Sequence, residues 1–191
     1  MIKFESGQVL NLQNSQNHIN LKKHIQNNED FVDVKQLCIV LDRLRSAHNT
    51  GNIFRIAEAV GAAEIIACGY TPAPPHPKLE KTAMGADKMV PCRVMPDSAT
   101  AVRTLREEGY RMILAAECMP GSRFAWEMKY EFPLAIVFGN EALGVAPETL
   151  ELVDGLVSLP MFGEKSSINV GNSAAAILYA VIAATRYGVH V

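Results

Sequence analysis

From Gln36 onward the hydrophobic positions fall into short unbroken runs separated by stretches of helical period. The runs Leu37–Leu41, Glu64–Cys68, Lys88–Val94, Met112–Ala116, Leu134–Phe138 and Leu156–Leu159 predict strands. The clearest helix is predicted over Asp97–Glu108. Pro96 precedes it, Asp97 or Ser98 caps it, Ala101, Val102 and Leu105 form its stripe, and Gly109 ends it. Strand and helix signals in alternation predict an α/β domain with a mostly parallel sheet and helices on both faces. Thr71–Lys81 holds four prolines and reads as an exposed loop crossing the top of the sheet. Leu12–Asp30 is rich in Asn and Gln and carries Lys22, Lys23 and His24, so a polar arm is expected there. The organisation expected is an N-terminal extension over 1–35 and one domain over 36–191.

Composition narrows the classes. A chain of 191 residues has the size of one domain and can bury a core without staples. Its 18 basic and 20 acidic residues leave a net charge of −2, so any surface for nucleic acid must be a local patch. Cys38, Cys68, Cys92 and Cys118 are scattered without a CxxC pair. They predict buried thiols in a reducing compartment rather than a disulfide framework, and no metal site is expected. The start of the chain lacks a signal-peptide pattern, and the longest apolar run, Ala174–Ala184, falls short of the roughly 20 residues of a membrane span. A soluble, cytoplasmic protein is expected.

Three segments carry candidate chemistry. In the first, Asn49 is a good N-cap for a helix that Gly61 stops. Ile53, Ile56, Ala57 and Val60 form its buried stripe, and Arg55 points about 150° away from them. A guanidinium there is either a solvated surface charge or is aimed at an anion near the helix start, where Gly51 permits close approach. In the second, the strand Leu134–Phe138 runs into Gly139-Asn140-Glu141-Ala142-Leu143-Gly144. Turns at strand carboxyl ends gather ligands in α/β sheets. Val145 and Ala146 stand where a P-loop needs Lys and Ser/Thr, which excludes that motif, and no G-x-G-x-x-G occurs. In the third, Leu159-Pro160-Met161-Phe162-Gly163 leads through Ser167 and Asn169 into a helix of small apolar residues. That helix is expected to be buried on nearly every side, partly against another subunit.

These segments, in this order, resemble motifs 1, 2 and 3 of the SpoU/TrmH branch of the SPOUT RNA methyltransferases. Leu41–Arg55 and Lys81–Val94 share that family's style, and the resemblance covers residues 36 to 187. It implies S-adenosylmethionine-dependent methylation of a ribose 2′-hydroxyl in tRNA or rRNA, a homodimer, and a C-terminal trefoil knot forming the cofactor pocket. Nothing in the periodicity shows the knot. By position, the resemblance makes Arg55 the catalytic arginine and completes the centre with Asn49, Glu141, Ser167 and Asn169. It gives cofactor binding to Phe138, Gly139, Asn140, Leu159, Met161, Ile168 and Asn169.

Methyl transfer from a sulfonium needs alignment of the acceptor and removal of its proton. A guanidinium ordinarily keeps its proton, so Arg55 is read as holding the phosphate beside the target ribose, with Glu141 or water taking the proton. Lys22, Lys23, Arg43, Arg45 and Lys81, together with Arg55, are the expected RNA contacts. The short, mildly basic extension favours tRNA over rRNA. Two other readings stand beside this one: a non-catalytic RNA-binding or assembly factor on the same scaffold, and a nucleotide-binding oxidoreductase, which the missing glycine fingerprint disfavours.

Overall fold

The computed structural model describes residues 36–187; the extension over 1–35, with Lys22 and Lys23, lies outside them. Seven strands among the described residues form one sheet: β1 (Leu37–Asp42), β2 (Glu64–Cys68), β3 (Cys92–Met95), β4 (Met112–Ala116), β5 (Arg123–Phe124), β6 (Leu134–Phe138) and β7 (Gly155–Ser158). Their spatial order is β3-β2-β1-β6-β4-β7-β5, and every neighbouring pair is parallel. The helices are α1 (Ala47–Val60), α2 (Pro77–Ala83), α3 (Ser98–Glu107), α4 (Pro147–Leu150) and α5 (Val170–Tyr187).

Side chains alternate across a strand, so each strand serves two cores. Leu37, Ile39 and Leu41 of β1 join Ile53 and Ile56 of α1 and Ile177, Leu178 and Val181 of α5. Cys38 and Val40 face the other way, toward Val102 and Leu105 of α3. Helices therefore cover both faces, as the alternating pattern predicts.

Three local expectations are corrected. Helix α1 is capped by Ser46, whose hydroxyl accepts from the Asn49 N–H at 3.2 Å. Asn49 thus sits inside the first turn with its side chain free for other partners. The proline-rich segment is a loop only as far as His76, because Pro77 occupies the first helical position of α2, where a missing N–H costs nothing. The run Lys88–Val94 is not one strand: Ala86–Lys88 is a 3-10 turn, and β3 begins after Pro91, which has no N–H for a ladder. Along α5, Ala174, Ile177, Leu178, Val181 and Ala184 are buried within the single chain, and Asn172, Ala176 and Tyr179 are exposed in it.

The cysteines divide too. Cys38 and Cys68 are buried and Cys92 partly so, but Cys118 is exposed just beyond β4, where the strand has already left the core. Burial pushes the Cys68 thiol up to about 12 and that of Cys92 up to about 11. Among the described residues no helix is long and apolar enough to cross a membrane, and no cluster of three metal-ligating side chains forms.

Candidate active site at the carboxyl edge of the sheet

Strand register builds the site. Leu41, Phe138 and Ala116 lie level across β1, β6 and β4, so the residues that follow them, Asp42, Gly139 and Glu117, line up at the carboxyl edge. The turn after β6 then folds back on itself. Asn140 and Gly144 exchange both backbone hydrogen bonds, at 3.1 and 2.9 Å, and Gly144 takes the left-handed φ of 69°. A Cβ on Gly139 would collide with the backbone of Gly144 and Val145, so this position needs glycine for space.

Two flanking carboxylates pin the turn from either side. Asp42, 1% exposed, accepts from the Ala146 N–H at 2.8 Å, and Glu117 accepts from the Val145 N–H at 2.6 Å. The N–H groups that a phosphate cradle would use are therefore occupied by the chain's own acids, which strengthens the exclusion of a P-loop. Asn140, also buried, accepts from the N–H groups of Ala142 and Leu143 and donates to the Arg43 carbonyl at 2.6 Å and the Tyr70 hydroxyl at 3.0 Å.

A hydrogen-bonded chain joins the three sequence segments. Glu141 accepts from the N–H groups of Arg45 (3.0 Å) and Ser46 (3.2 Å) and from the Asn49 amide (2.9 Å). Asn49 in turn accepts from the Asn169 amide at 3.1 Å. The Asn169 carbonyl oxygen caps α5, accepting from Gly171 (2.9 Å) and Asn172 (3.3 Å). Desolvation pushes the Glu141 carboxyl up, but the donors on Arg45, Asn49 and Ser46 outweigh it and hold the group below the usual carboxylate range.

These elements enclose a cleft of about 360 Å³. Phe138, Gly139 and Asn140 line it from the end of β6 and its turn, Leu159 and Met161 from the loop after β7, and Ile168 and Asn169 from the start of α5. All seven expected cofactor residues thus face one space, joined by Glu141 and Ser167. Asn49 reaches it only through its bonds to Glu141 and Asn169. Arg55 is exposed on α1, as its angle predicts, but does not line the cleft of its own chain.

The other basic candidates lie apart in role. Arg43 pairs with Asp42 through Nε (3.0 Å) and a terminal nitrogen (3.2 Å). Arg45 and Lys81 are exposed. Gly51 does not leave room for an anion: the backbone of α2 fills it, with the Leu79 oxygen 2.6 Å from where a Cβ would be.

Reasoning from the sequence missed Asp42, Tyr70, Glu117 and Cys118. Asp42 and Glu117 carried a signal, because each is an acid at the carboxyl end of a central strand. Tyr70 carried none. The charged side chains lining the cleft are Glu117 and Glu141, with no Lys or Arg among its described lining. Such a cleft favours a cationic guest over a nucleotide phosphate.

Comparison with known proteins follows the same outline. The profile of the SpoU rRNA methylase family matches residues 36–179. The chain is 36% identical over 143 residues to the tRNA (guanosine(18)-2'-O)-methyltransferase of Thermus thermophilus, covering 75% of this chain and 72% of that one. It is 34% identical over 146 residues to the 23S rRNA (guanosine-2'-O-)-methyltransferase RlmB of Vibrio parahaemolyticus, covering 76% of this chain but 58% of that one. Its fold is similar to that of the SpoU methyltransferase AviRb of Streptomyces viridochromogenes, solved in complex with AdoMet. There the TM-score is 0.69 at 29% identity, over 80% of this chain and 57% of that one.

Proposed function

The chain belongs to the SpoU rRNA methylase family, and from that premise we propose that it transfers a methyl group from S-adenosylmethionine to a ribose 2′-hydroxyl of a structured RNA, a tRNA ahead of an rRNA. The observation that carries this reading is the junction of Glu141, Asn49 and Asn169, which ties the three motif segments around one cleft.

The cleft suits the cofactor. Phe138, Leu159, Met161 and Ile168 offer apolar walls, Gly139 allows close approach to the backbone, and two carboxylates favour a sulfonium. S-adenosylmethionine supplies a methyl group that is already activated. The chain's work is to align the acceptor oxygen and let its proton go. Both oxygens of Glu141 are already engaged by the N–H groups of Arg45 and Ser46 and by the Asn49 amide. Its role is therefore to position the start of α1, and the proton is left to pass to solvent. Arg55 is assigned to the phosphate beside the target ribose.

Because Arg55 is exposed yet outside its own cleft, the same reading takes the protein as a homodimer in which Arg55 serves the neighbouring subunit. The C-terminal trefoil knot belongs to it as well, carried by the family resemblance, and a cytoplasmic location fits a protein that acts on tRNA or rRNA.

The test is labelled methyl transfer to total tRNA and rRNA from a strain lacking the gene, followed by nucleoside mapping. A 2′-O-methylribose is expected, and a methylated base would overturn the reaction. Arg55→Ala should lower turnover by on the order of a hundredfold while S-adenosylmethionine still binds. Near-normal turnover removes Arg55 from the site. Mixing Arg55→Ala with Asn169→Ala subunits should restore part of the activity if the arginine acts across the dimer; no recovery refutes that.

A further inference from the structure

A second hollow adjoins the cofactor cleft and is not used by the reading above. Met119, Pro120, Phe124, Pro160 and Phe162 form its apolar lining, and Cys118, Ser158, Leu159 and Met161 line both spaces. No charged side chain lines it among the described residues. Phe162 projects from the loop directly after Met161 and is 96% exposed, the most exposed large apolar side chain among the described residues.

We propose that this annex receives an unstacked nucleobase of the RNA, with Phe162 as the platform on which the base stacks. The inference rests on the RNA-methyltransferase reading and specifies which part of the substrate the site holds. Three observations support it. The annex shares Cys118, Ser158, Leu159 and Met161 with the cleft, so the two spaces adjoin and one nucleotide can engage both. An uncharged, apolar lining suits a base and is poorly suited to a phosphate. The Ser122 hydroxyl, bonded to that of Ser158 at 3.0 Å, offers hydrogen-bonding capacity at one wall for the edge of a base. Single-stranded RNA is recognised in this way, by splaying bases onto aromatic faces.

Trp126, the only tryptophan of the chain, provides a readout independent of methylation, because its ring centroid lies 5.8 Å from that of Phe124. Titration with a short single-stranded RNA of mixed sequence should quench Trp126 emission. Phe162→Ala should weaken that binding by on the order of tenfold, Phe162→Tyr should restore it, and Phe162→Leu should not. Affinity for S-adenosylmethionine, measured by calorimetry, should be unchanged throughout.

The proposal falls if RNA leaves the emission unaltered, or if leucine serves as well as phenylalanine. It also falls if Phe162→Ala weakens cofactor binding as much as RNA binding, or dissociates an oligomer in light scattering, since the annex then belongs to the cofactor or to a second copy. Methyl transfer without quenching overturns the annex and leaves the function standing. Aromatic-dependent quenching without methyl transfer sustains the annex and overturns the function.

Discussion

Asn169 performs two separable tasks with one amide group. Its oxygen caps α5 and its nitrogen donates to Asn49. Asn169→Asp keeps the oxygen acceptors and places a negative charge at a helix N-terminus, where it is favourable. It loses the donor to Asn49 and adds repulsion toward Glu141. Thermal unfolding should therefore stay near that of the parent protein, while methyl transfer falls about tenfold, the equivalent of about 1.4 kcal/mol. Asn169→Ala should also lower stability by about 1 kcal/mol, the usual loss of a cap. Parental activity in Asn169→Asp would show that the link to Asn49 does nothing, and parental melting in Asn169→Ala would show the same of the cap.

At the scale of elements, the contact between α1 and α2 sets local preference against packing. Alanine is a better helix former than glycine by about 1 kcal/mol, so Gly51→Ala in α1 should stabilise on propensity alone. The structure decides the other way. The new methyl group would lie 2.6 Å from the Leu79 carbonyl oxygen, a backbone atom that cannot rotate aside, and would also strike the Thr82 hydroxyl. Overpacking of this kind costs roughly 1–3 kcal/mol, so net destabilisation is expected in urea unfolding. A more stable Gly51→Ala protein would mean that α2 shifts freely on α1.

For the molecule as a whole, several carboxylates are held below their ordinary range. Glu141 is one despite its desolvation. Asp97 is another, through the Thr100 N–H and hydroxyl at the start of α3, and Glu108 a third, through Arg93. A depressed folded-state pKa contributes stability that is fully present above the unfolded value, near 4, and lost as pH falls through the folded one. Urea midpoints should therefore stay level between about pH 5 and about pH 8 and drop below that range. A midpoint that rises on acidification would contradict these assignments. Charge also bears on RNA binding. Reversing Arg43 would strand the buried Asp42, so Arg45→Glu is the cleaner variant. It should lower RNA affinity and flatten its dependence on salt, and an unchanged slope would place Arg45 outside the interface.

Much of this was legible along the chain because the deciding chemistry is local. β2, β4 and β6 follow from runs of apolar residues, and the end of α1 follows from Gly61, which takes the left-handed φ of 74°. The exposed side of Arg55 follows from helical angle. Other features were not local. The α1 cap passed from Asn49 to Ser46 because both are good capping residues, and only the path of the chain into the helix chooses between them. Four prolines concealed the start of α2, since a proline inside a loop and a proline at a first helical position look alike in sequence.

The cleft itself depended on distance in space. Asp42, which ends β1, and Glu117, which follows β4, are 75 positions apart in sequence, and they meet at one turn because parallel pairing on both sides of β6 brings the carboxyl ends of those strands level. The bond from Asn169 to Asn49 spans 120 residues. Hydrophobic periodicity and capping act over a few residues, so they specify the elements and which side of each is wet. Strand order and register act across the whole domain, and they alone bring these acids and amides within hydrogen-bonding distance.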